Sequence, residues 1–230
     1  MKVSYFMKIK FLASAALLAT ATTANAFYVE GQLGKHSTDV DTQAYSGTVS
    51  GLTYSGLKGS IDYDIDPALG IEIGTSVADG VRIGASYTKL DVDMESITVS
   101  VGSVTDGTTT YNAASGTVTR SQIADLDSSA ASTFDNSVKL LMVNGYYDFA
   151  VDGDFKPFLG AGIGKADISN AKSKETAMSF YAGMKYDIDD SMYVGAKYSR
   201  TSIDGPTDKN DIKFEDIDVD SFYIMVGKSF

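Results

Sequence analysis

The chain contains no cysteine and no tryptophan, and only three prolines and one histidine occur among its 230 residues. Without cysteine, neither a disulfide nor a thiolate metal site can form. The net charge is −11, and phosphate binding needs clustered Lys and Arg, so no nucleic-acid partner is expected. After residue 26, no apolar run reaches the length of a membrane helix. The remaining classes are a soluble exported protein and a β-barrel, whose membrane signal is spread over alternating segments.

The first 26 residues have the pattern of a secretory signal peptide. A lysine-containing start precedes an apolar, alanine-rich stretch from Phe11 to Ala24. The small residues Ala24 and Ala26 then occupy the two positions that a signal peptidase reads. A membrane helix is the alternative, but the apolar core is shorter than the roughly 18 to 20 residues needed to span. We therefore expect cleavage after Ala26 and a single exported domain over residues 27–230.

The last ten residues alternate in character, as a strand of period two requires. One set of positions is mainly apolar and comprises Phe222, Ile224, Val226, Lys228 and Phe230. A final strand that ends on an aromatic residue is typical of a barrel in the bacterial outer membrane. In such a barrel the last strand pairs with the first, and aromatic residues lie at the membrane boundary.

Seven further segments show the same alternation. With the last one they are Phe27–Gly34, Pro67–Val77, Val81–Met94, Ser137–Phe149, Phe155–Ile168, Thr176–Tyr186, Met192–Ser202 and Asp218–Phe230. The connections after the second, fourth and sixth segments are short and contain Asp, two of them with Gly, as hairpin turns often do. The other four connections are longer and cover residues 35–66, 95–136, 169–175 and 203–217. This asymmetry predicts an all-β fold, an eight-stranded antiparallel transmembrane up-and-down β-barrel with long extracellular loops and both ends in the periplasm.

The two faces of these segments differ in composition. One face is apolar, and the other carries ionic residues and many glycines, which suit a narrow polar interior better than a soluble surface. A soluble barrel would alternate in the opposite sense and remains the competing fold. Aromatic residues toward the strand ends of the apolar face predict an interfacial belt of Tyr87, Tyr147, Phe149, Tyr186, Tyr198 and Phe230.

Three segments resemble the small outer-membrane β-barrel family, which includes OmpA/OmpX-like barrels, opacity-type proteins of the porin family and surface antigens. They are Leu141–Phe149, the proline-aromatic-glycine segment Lys156–Gly164, and Ser191–Tyr198. Lys228 departs from the pattern, because many relatives place an aromatic residue there. The resemblance implies outer-membrane lipid, lipopolysaccharide and the barrel-assembly machinery, through the C-terminal strand, as partners, with no cofactor.

Five charged residues are predicted to point into the lumen: Glu30, Glu72, Arg82, Lys185 and Lys197. An eight-stranded barrel is only wide enough for its own side chains, and buried charges must be paired to avoid a large desolvation cost. We therefore predict an ion network that plugs the barrel. The alternative is that these charges line a water-filled rim and never meet.

No catalytic or metal site is predicted. His36, the one histidine, lies at the start of the first long connection, where we expect it to be solvated. The glycines at 160, 162 and 164 fall at alternate strand positions, so they make room for lumen side chains and do not form a phosphate loop. The last connection and its flanks are acidic and could bind Ca²⁺ or Mg²⁺, although acidic runs are usually just solvated. These acids are Asp204, Asp208, Asp211, Glu215, Asp216, Asp218 and Asp220.

The function expected from the resemblance is structural or surface-interacting, in envelope integrity, adhesion or resistance to host defences. The connections 35–66 and 95–136 would contact an unknown host or environmental ligand, because exposed loops on a rigid scaffold carry recognition. Three alternatives stay open. They are a narrow, gated, porin-like passage for small polar solutes, an enzyme that modifies lipid A, and a soluble periplasmic binding barrel.

Overall fold

Twelve strands and one short helix make up the computed structural model, which describes residues 27–63, 66–126, 136–209 and 211–230. The predicted signal peptide at residues 1–26 lies outside the described residues. The elements are β1 (Phe27–Asp41), β2 (Tyr45–Val49), β3 (Leu52–Tyr63), β4 (Asp66–Ala78), β5 (Val81–Val92), β6 (Met94–Thr105), β7 (Thr110–Thr119), α1 (Arg120–Leu126), β8 (Asn136–Asp148), β9 (Phe155–Ile168), β10 (Glu175–Asp187), β11 (Met192–Ile203) and β12 (Ile217–Ser229). In the described part of the chain, no helix has the length and apolar character to cross a membrane.

Eight of the strands form a closed antiparallel barrel in the order β1, β4, β5, β8, β9, β10, β11, β12. The barrel closes where β12 pairs with β1, in a register that runs from Tyr28–Ser229 to Asp39–Asp218. At the rim, the amide of Phe230 donates a hydrogen bond to the carbonyl of Phe27 at 2.8 Å. Closure satisfies the backbone groups that an open edge would leave unpaired. The predicted eight-stranded antiparallel barrel is confirmed.

The short and long connections lie at opposite ends of the barrel, as the sequence predicts. At one end, β4–β5, β8–β9 and β10–β11 are joined by short turns, the first of which contains Asp79 and Gly80. Gly80 has a φ of 71°, a conformation that favours glycine. We call this the short-turn end and the other the long-connection end.

Two of the long connections form additional sheet. Strands β2 and β3 are joined by a two-residue turn in which Ser50 and Gly51 both have positive φ, as a type I′ hairpin turn requires. Strand β3 pairs with β6, and β6 pairs with β7. The far end of β1, residues 39–41, also pairs with β3. The predicted loops 35–66 and 95–136 therefore contain a four-stranded sheet, β2–β3–β6–β7, which we call the outer sheet.

The last long connection folds back over the long-connection end. We call residues 204–209 and 211–216 the lid. Its backbone bonds the start of the first long connection, where Glu215 N donates to the carbonyl of Asp41 at 2.8 Å and Gln43 N to that of Lys213 at 2.9 Å. It also bonds the β9–β10 connection, where Lys172 N donates to Thr207 O at 2.9 Å. The lid is thus tied to two neighbouring connections.

Candidate functional site in the barrel lumen and at its long-connection end

The five predicted lumen charges all lie inside the barrel. Glu30, Glu72, Arg82, Lys185 and Lys197 are buried, with exposed fractions between 1% and 7%. Each lies on a different strand, at a position that faces the lumen. The residues before and after it face outward, because a strand sends successive side chains to opposite sides. The structure divides them into three groups with different partners.

Arg82 and Lys185 share one carboxylate, that of Asp148. Arg82 donates from Nε to Oδ2 at 2.7 Å and from Nη2 to Oδ1 at 3.1 Å, while Lys185 Nζ donates to Oδ2 at 2.8 Å. The guanidinium of Arg82 also lies over the ring of Tyr146, 4.7 Å from its centroid, a cation–π arrangement. Asp148 ends β8 beside the short turns, so this cluster closes the lumen from the short-turn end.

Glu72 is held by hydrogen-bond donors that carry no charge. Its carboxylate accepts from Tyr28 Oη at 2.6 Å, from Tyr146 Oη at 2.7 Å and from Asn144 Nδ2 at 2.9 Å. Asn144 in turn accepts from the hydroxyl of Tyr181 at 2.9 Å. Three donors satisfy a buried carboxylate without a counter-ion, so Glu72 belongs to a neutral-donor network and not to the ion pairs.

Glu30 is the carboxylate nearest to Lys197. Their atoms Oε1 and Nζ are 3.8 Å apart, and Glu30 also accepts from Tyr193 Oη at 2.8 Å and Gln32 Nε2 at 2.7 Å. The ammonium of Lys197 lies 5.2 Å from the centroid of the Tyr181 ring. Lumen tyrosines and Asp148 therefore complete the polar network, and nothing in the sequence pattern alone assigns them as partners.

Glycines on the lumen face make space for these rings. A Cβ at Gly160 would overlap the ring of Tyr146, and one at Gly227 would overlap the ring of Tyr193. Gly160 lies inside β9, and no helix begins there. A Cβ at Gly162 would likewise overlap Asn144 Oδ1, and one at Gly164 would overlap Met142 Sδ. The prediction that the glycines at 160, 162 and 164 make room for lumen side chains is therefore confirmed.

Spaces of different size and lining lie along the lumen of the described barrel. A polar vestibule of about 790 Å³ lies at the short-turn end beside Arg82 and Asp148. The middle of the lumen holds a gap of only about 20 Å³, beside Gln32, Tyr181 and Lys197. A space of that size holds about one water molecule. The side chains around this gap are mostly buried and fill the middle of the described lumen.

Another space is an apolar chamber of about 540 Å³ at the long-connection end, beneath the lid. His36 lines this chamber and is only 2% exposed. The expectation that His36 is solvated is wrong, because β1 continues past Gly34 to Asp41 and keeps even-numbered residues on the lumen side. The position of His36 in the wall follows from this extension of the strand.

Most acidic side chains of the lid and its flanks have partners within the protein. Glu215 approaches Lys58 at 3.4 Å, and Asp218 pairs with Arg200 at 2.8 Å. Asp208 and Asp216 accept backbone hydrogen bonds from Ile212 and Gly205, each at 2.8 Å. Within the described residues, no three acidic or histidine side chains are grouped closely enough to hold a metal ion.

The family model for the outer membrane protein beta-barrel domain matches residues 10–230 of this chain. The chain belongs to this family. It is therefore a barrel of the bacterial outer membrane, consistent with its closed topology and apolar outer face. No curated protein matches the chain in sequence.

Solved outer-membrane barrels have a similar fold. Neisserial surface protein A (NspA) is 15% identical, with a TM-score of 0.50 over 89% of this chain and 97% of that chain. OprG from Pseudomonas aeruginosa is 16% identical, with a TM-score of 0.47 over 90% of this chain and 96% of that one. Ail from Yersinia pestis is 11% identical, with a TM-score of 0.40 over 90% of this chain and all of that one. At these identities the likeness is one of fold alone.

The outer surface of this outer-membrane barrel carries the predicted aromatic residues. Tyr87, Tyr147, Phe149, Tyr186, Tyr198 and Phe230 are each more than a third exposed. At the short-turn end, aromatic rings meet in pairs, with centroids 6.2 Å apart for Phe27–Phe230, 5.1 Å for Tyr147–Phe149 and 4.9 Å for Phe155–Tyr186. The interfacial role of these residues stays a prediction. The clustering of Tyr147, Phe149, Tyr186 and Phe230 at one rim favours it, whereas Tyr87 and Tyr198 lie further along their strands, opposite Ile71 and Ala182.

Proposed function

We propose that this outer-membrane barrel has a structural and surface-interaction role, in envelope integrity and adhesion, in which the outer sheet is the contact surface. The observation that carries the proposal is the outer sheet itself. Two connections that could have been separate loops are joined edge to edge by the β3–β6 pairing, which runs from Thr53–Thr105 to Tyr63–Met94. A paired sheet presents a defined surface to the surroundings, and exposed segments on a rigid scaffold are where recognition usually lies.

Strand β7 is the part of the outer sheet best placed for contact. All of its residues, Thr110–Thr119, are exposed, and it is the last strand on its side of the sheet order. An edge strand offers backbone donors and acceptors to an added strand. Its side chains are uncharged, and hydroxyl pairs such as Thr98–Thr117 at 2.8 Å cover the sheet. The proposed ligand is therefore a polypeptide of a host or of the environment that presents an uncharged, extended segment to this edge.

Shortening the β6–β7 hairpin should abolish the proposed contact and leave the barrel intact. Ser100 and Ser115 face each other across the hairpin, so replacing residues 101–114 by Asn-Gly reconnects them with a two-residue turn. Bacteria that display the shortened chain are expected to lose attachment to epithelial monolayers, relative to those that display the full chain. The matched control inserts Gly-Ser between Asp152 and Gly153 in a short turn. Equal attachment by all three strains would refute the proposal.

A narrow passage for solutes is less well supported. A passage would have to run through the buried side chains around Glu72, Arg82 and Lys197, which fill the middle of the described lumen. Persistent open-channel steps in planar bilayers would favour the passage. An enzyme that modifies lipid A would need a catalytic group facing the outer leaflet, whereas His36 faces inward. We therefore propose a non-enzymatic role.

Lipopolysaccharide is the proposed lipid partner at the long-connection end. Lys89, Lys139 and Lys165 are exposed on the outer face of three adjacent strands. Lys89 and Lys139 are direct register partners, and Lys165 is paired with Leu141, two residues beyond Lys139. Asp91 pairs with Lys89, and Asp167 lies opposite Lys139, so the lysines are partly compensated. They lie at the height where lipid phosphates are expected.

Replacing these three lysines with glutamine should weaken binding of lipopolysaccharide. A basic residue near an anionic lipid surface contributes about 1 kcal/mol. Because Lys89 is paired with Asp91 and Lys139 lies opposite Asp167, the triple variant is expected to lose on the order of tenfold in affinity. Titration of lipopolysaccharide onto the barrel in nanodiscs measures this. Lys228→Gln is the control, because Lys228 is exposed on the outer face at the opposite rim. Equal losses in the two variants would contradict the proposal.

We also propose that residues 1–26 direct export and are removed after Ala26, which leaves residues 27–230 as the barrel with its long connections. The proposed assembly partner is the barrel-assembly machinery, which would engage the strand that ends at Phe230. The pairing of β12 with β1 at the seam of the barrel supports this proposal, because the last strand has to find the first for the barrel to close.

A further inference from the structure

The apolar chamber differs from the rest of the lumen in its lining. Its wall includes Val40, Leu90, Val138, Ile203, Ile217 and Val219, from five barrel strands. Ile212 and Phe214 of the lid also line it. The lumen toward the short-turn end, by contrast, holds the charged and hydrogen-bonded network around Glu72 and Asp148. The barrel interior is therefore divided into a polar half and an apolar half.

The volume and the lining of the chamber together argue against an ordinary packing void. Protein interiors are close-packed, with few voids larger than a water molecule, and this chamber measures about 540 Å³. Ordered water needs two to four polar partners, which a wall of aliphatic side chains supplies at few points. A volume of this size with mainly apolar walls lies within the range of pockets for small ligands, about 300 to 1,000 Å³.

We infer that the chamber is a binding site for a small apolar molecule with a hydrocarbon or aromatic body. The apolar side chains of the wall offer dispersion contacts, and transfer of the ligand's apolar surface out of water supplies affinity. The few polar side chains at the chamber, among them Asn170 and Lys209 beside the lid, leave room for one polar group on the ligand. This inference is independent of the proposed role of the outer sheet.

Methyl NMR of the folded barrel in nanodiscs tests the inference, with indole as the probe. The expected result is a saturable shift of the methyl signals of Ile203, Ile217 and Val219, together with nuclear Overhauser effects from indole protons to those methyls. The lipid-facing methyls of Ile163 and Ile224, which are more than half exposed, report partition of indole into the bilayer and should shift without saturation. Non-saturating shifts of equal size at both sets would overturn the inference.

Substitutions that fill the chamber provide a matched comparison on one strand. Ile217→Phe places a larger side chain into the chamber, whereas Ile224→Phe adds the same bulk on the lipid face of β12. The first variant is expected to weaken indole binding at least tenfold, and the second to leave it unchanged. Val138→Phe, on β8, serves the same purpose if Ile217→Phe does not fold. Unchanged binding in a folded chamber variant would overturn the inference.

Nuclear Overhauser effects in the same sample, recorded before indole is added, distinguish a lipid acyl chain from a free molecule as the natural ligand. If a lipid acyl chain occupies the chamber, nuclear Overhauser effects connect acyl protons to Ile217 and Val219, and deuterated lipid removes them. If the ligand is a free molecule from the medium, these effects are absent and indole alone produces them. Either result supports a site for apolar ligands, whereas a chamber that shows only water protons overturns it.

Discussion

Replacing Arg82 with alanine should lower the free energy of unfolding by about 3 kcal/mol, at the lower end of the range for a broken buried pair. Arg82 and Asp148 are both largely buried, with side chains 8% and 15% exposed, and two hydrogen bonds join them. Removing the guanidinium leaves the carboxylate with one cation, Lys185, at 2.8 Å. The remaining pair of Asp148 with Lys185 limits the loss of unfolding free energy. The cavity left by the guanidinium adds to the loss, because the aromatic rings around it lose their packing partner.

Urea unfolding of the barrel in nanodiscs or micelles measures this effect as a shift of the midpoint at constant slope. Arg200→Ala is the matched control, because Arg200 pairs with Asp218 on the exposed surface, where both side chains are about half exposed. An exposed pair contributes at most about 1 kcal/mol. An unchanged midpoint for Arg82→Ala, or equal shifts in both variants, would show that the lumen pair does not stabilise the barrel.

Replacing Gly160 with valine should impair folding, whereas the same change at Gly145 should be tolerated. A Cβ at Gly160 would lie 2.8 Å from Tyr146 Cε1 and 2.9 Å from the carbonyl oxygen of Gly145, besides overlapping the rest of the ring. At Gly145, on the lipid face, a Cβ would meet nothing within 4 Å. Overpacking of a filled interior costs about 1–3 kcal/mol. Displacing the ring of Tyr146 would also disturb the hydrogen bond that its hydroxyl donates to Glu72.

Gel mobility of unheated samples reports the folded fraction after refolding, and urea midpoints report stability. The expected result is a reduced folded fraction and a lower midpoint for Gly160→Val, with Gly145→Val equal to the unaltered chain within about 0.5 kcal/mol, as for substitutions that disturb no packing. If both variants behave alike, the close fit between Gly160 and Tyr146 has no energetic consequence, and the lumen is not tightly packed at this point.

Most of the barrel could be predicted from sequence because its signals are local. Alternation of period two identifies strands and their two faces, and Asp and Gly mark the turn after β4 at Asp79 and Gly80. All eight predicted segments overlap barrel strands. The inward direction of Glu30 and Arg82 follows from the same alternation, since one face of each strand is apolar.

The parts that could not be predicted depend on contacts between distant segments. The alternation at Ile97, Val99 and Val101 indicates that a strand projects beyond the membrane in the connection 95–136, and β6 is that strand, but alternation does not say which segment pairs with it. Strands β3 and β6 form because they pair with each other, for example at Ile61–Ile97. The two partners are more than thirty residues apart, and nothing local in either segment names the other.

The sequence by itself determined the fold class of this protein: a β chain with eight amphipathic strands, each with one apolar face and one polar face. The tertiary structure alone decided which side chains meet. It paired Arg82 with Asp148 and gave Glu72 three neutral donors, because those contacts depend on the registers between strands and on the curvature of a closed barrel. It also buried His36 and formed the apolar chamber. The extension of β1 and the position of the lid are set by pairing across the long-connection end, which alternation along one strand cannot specify.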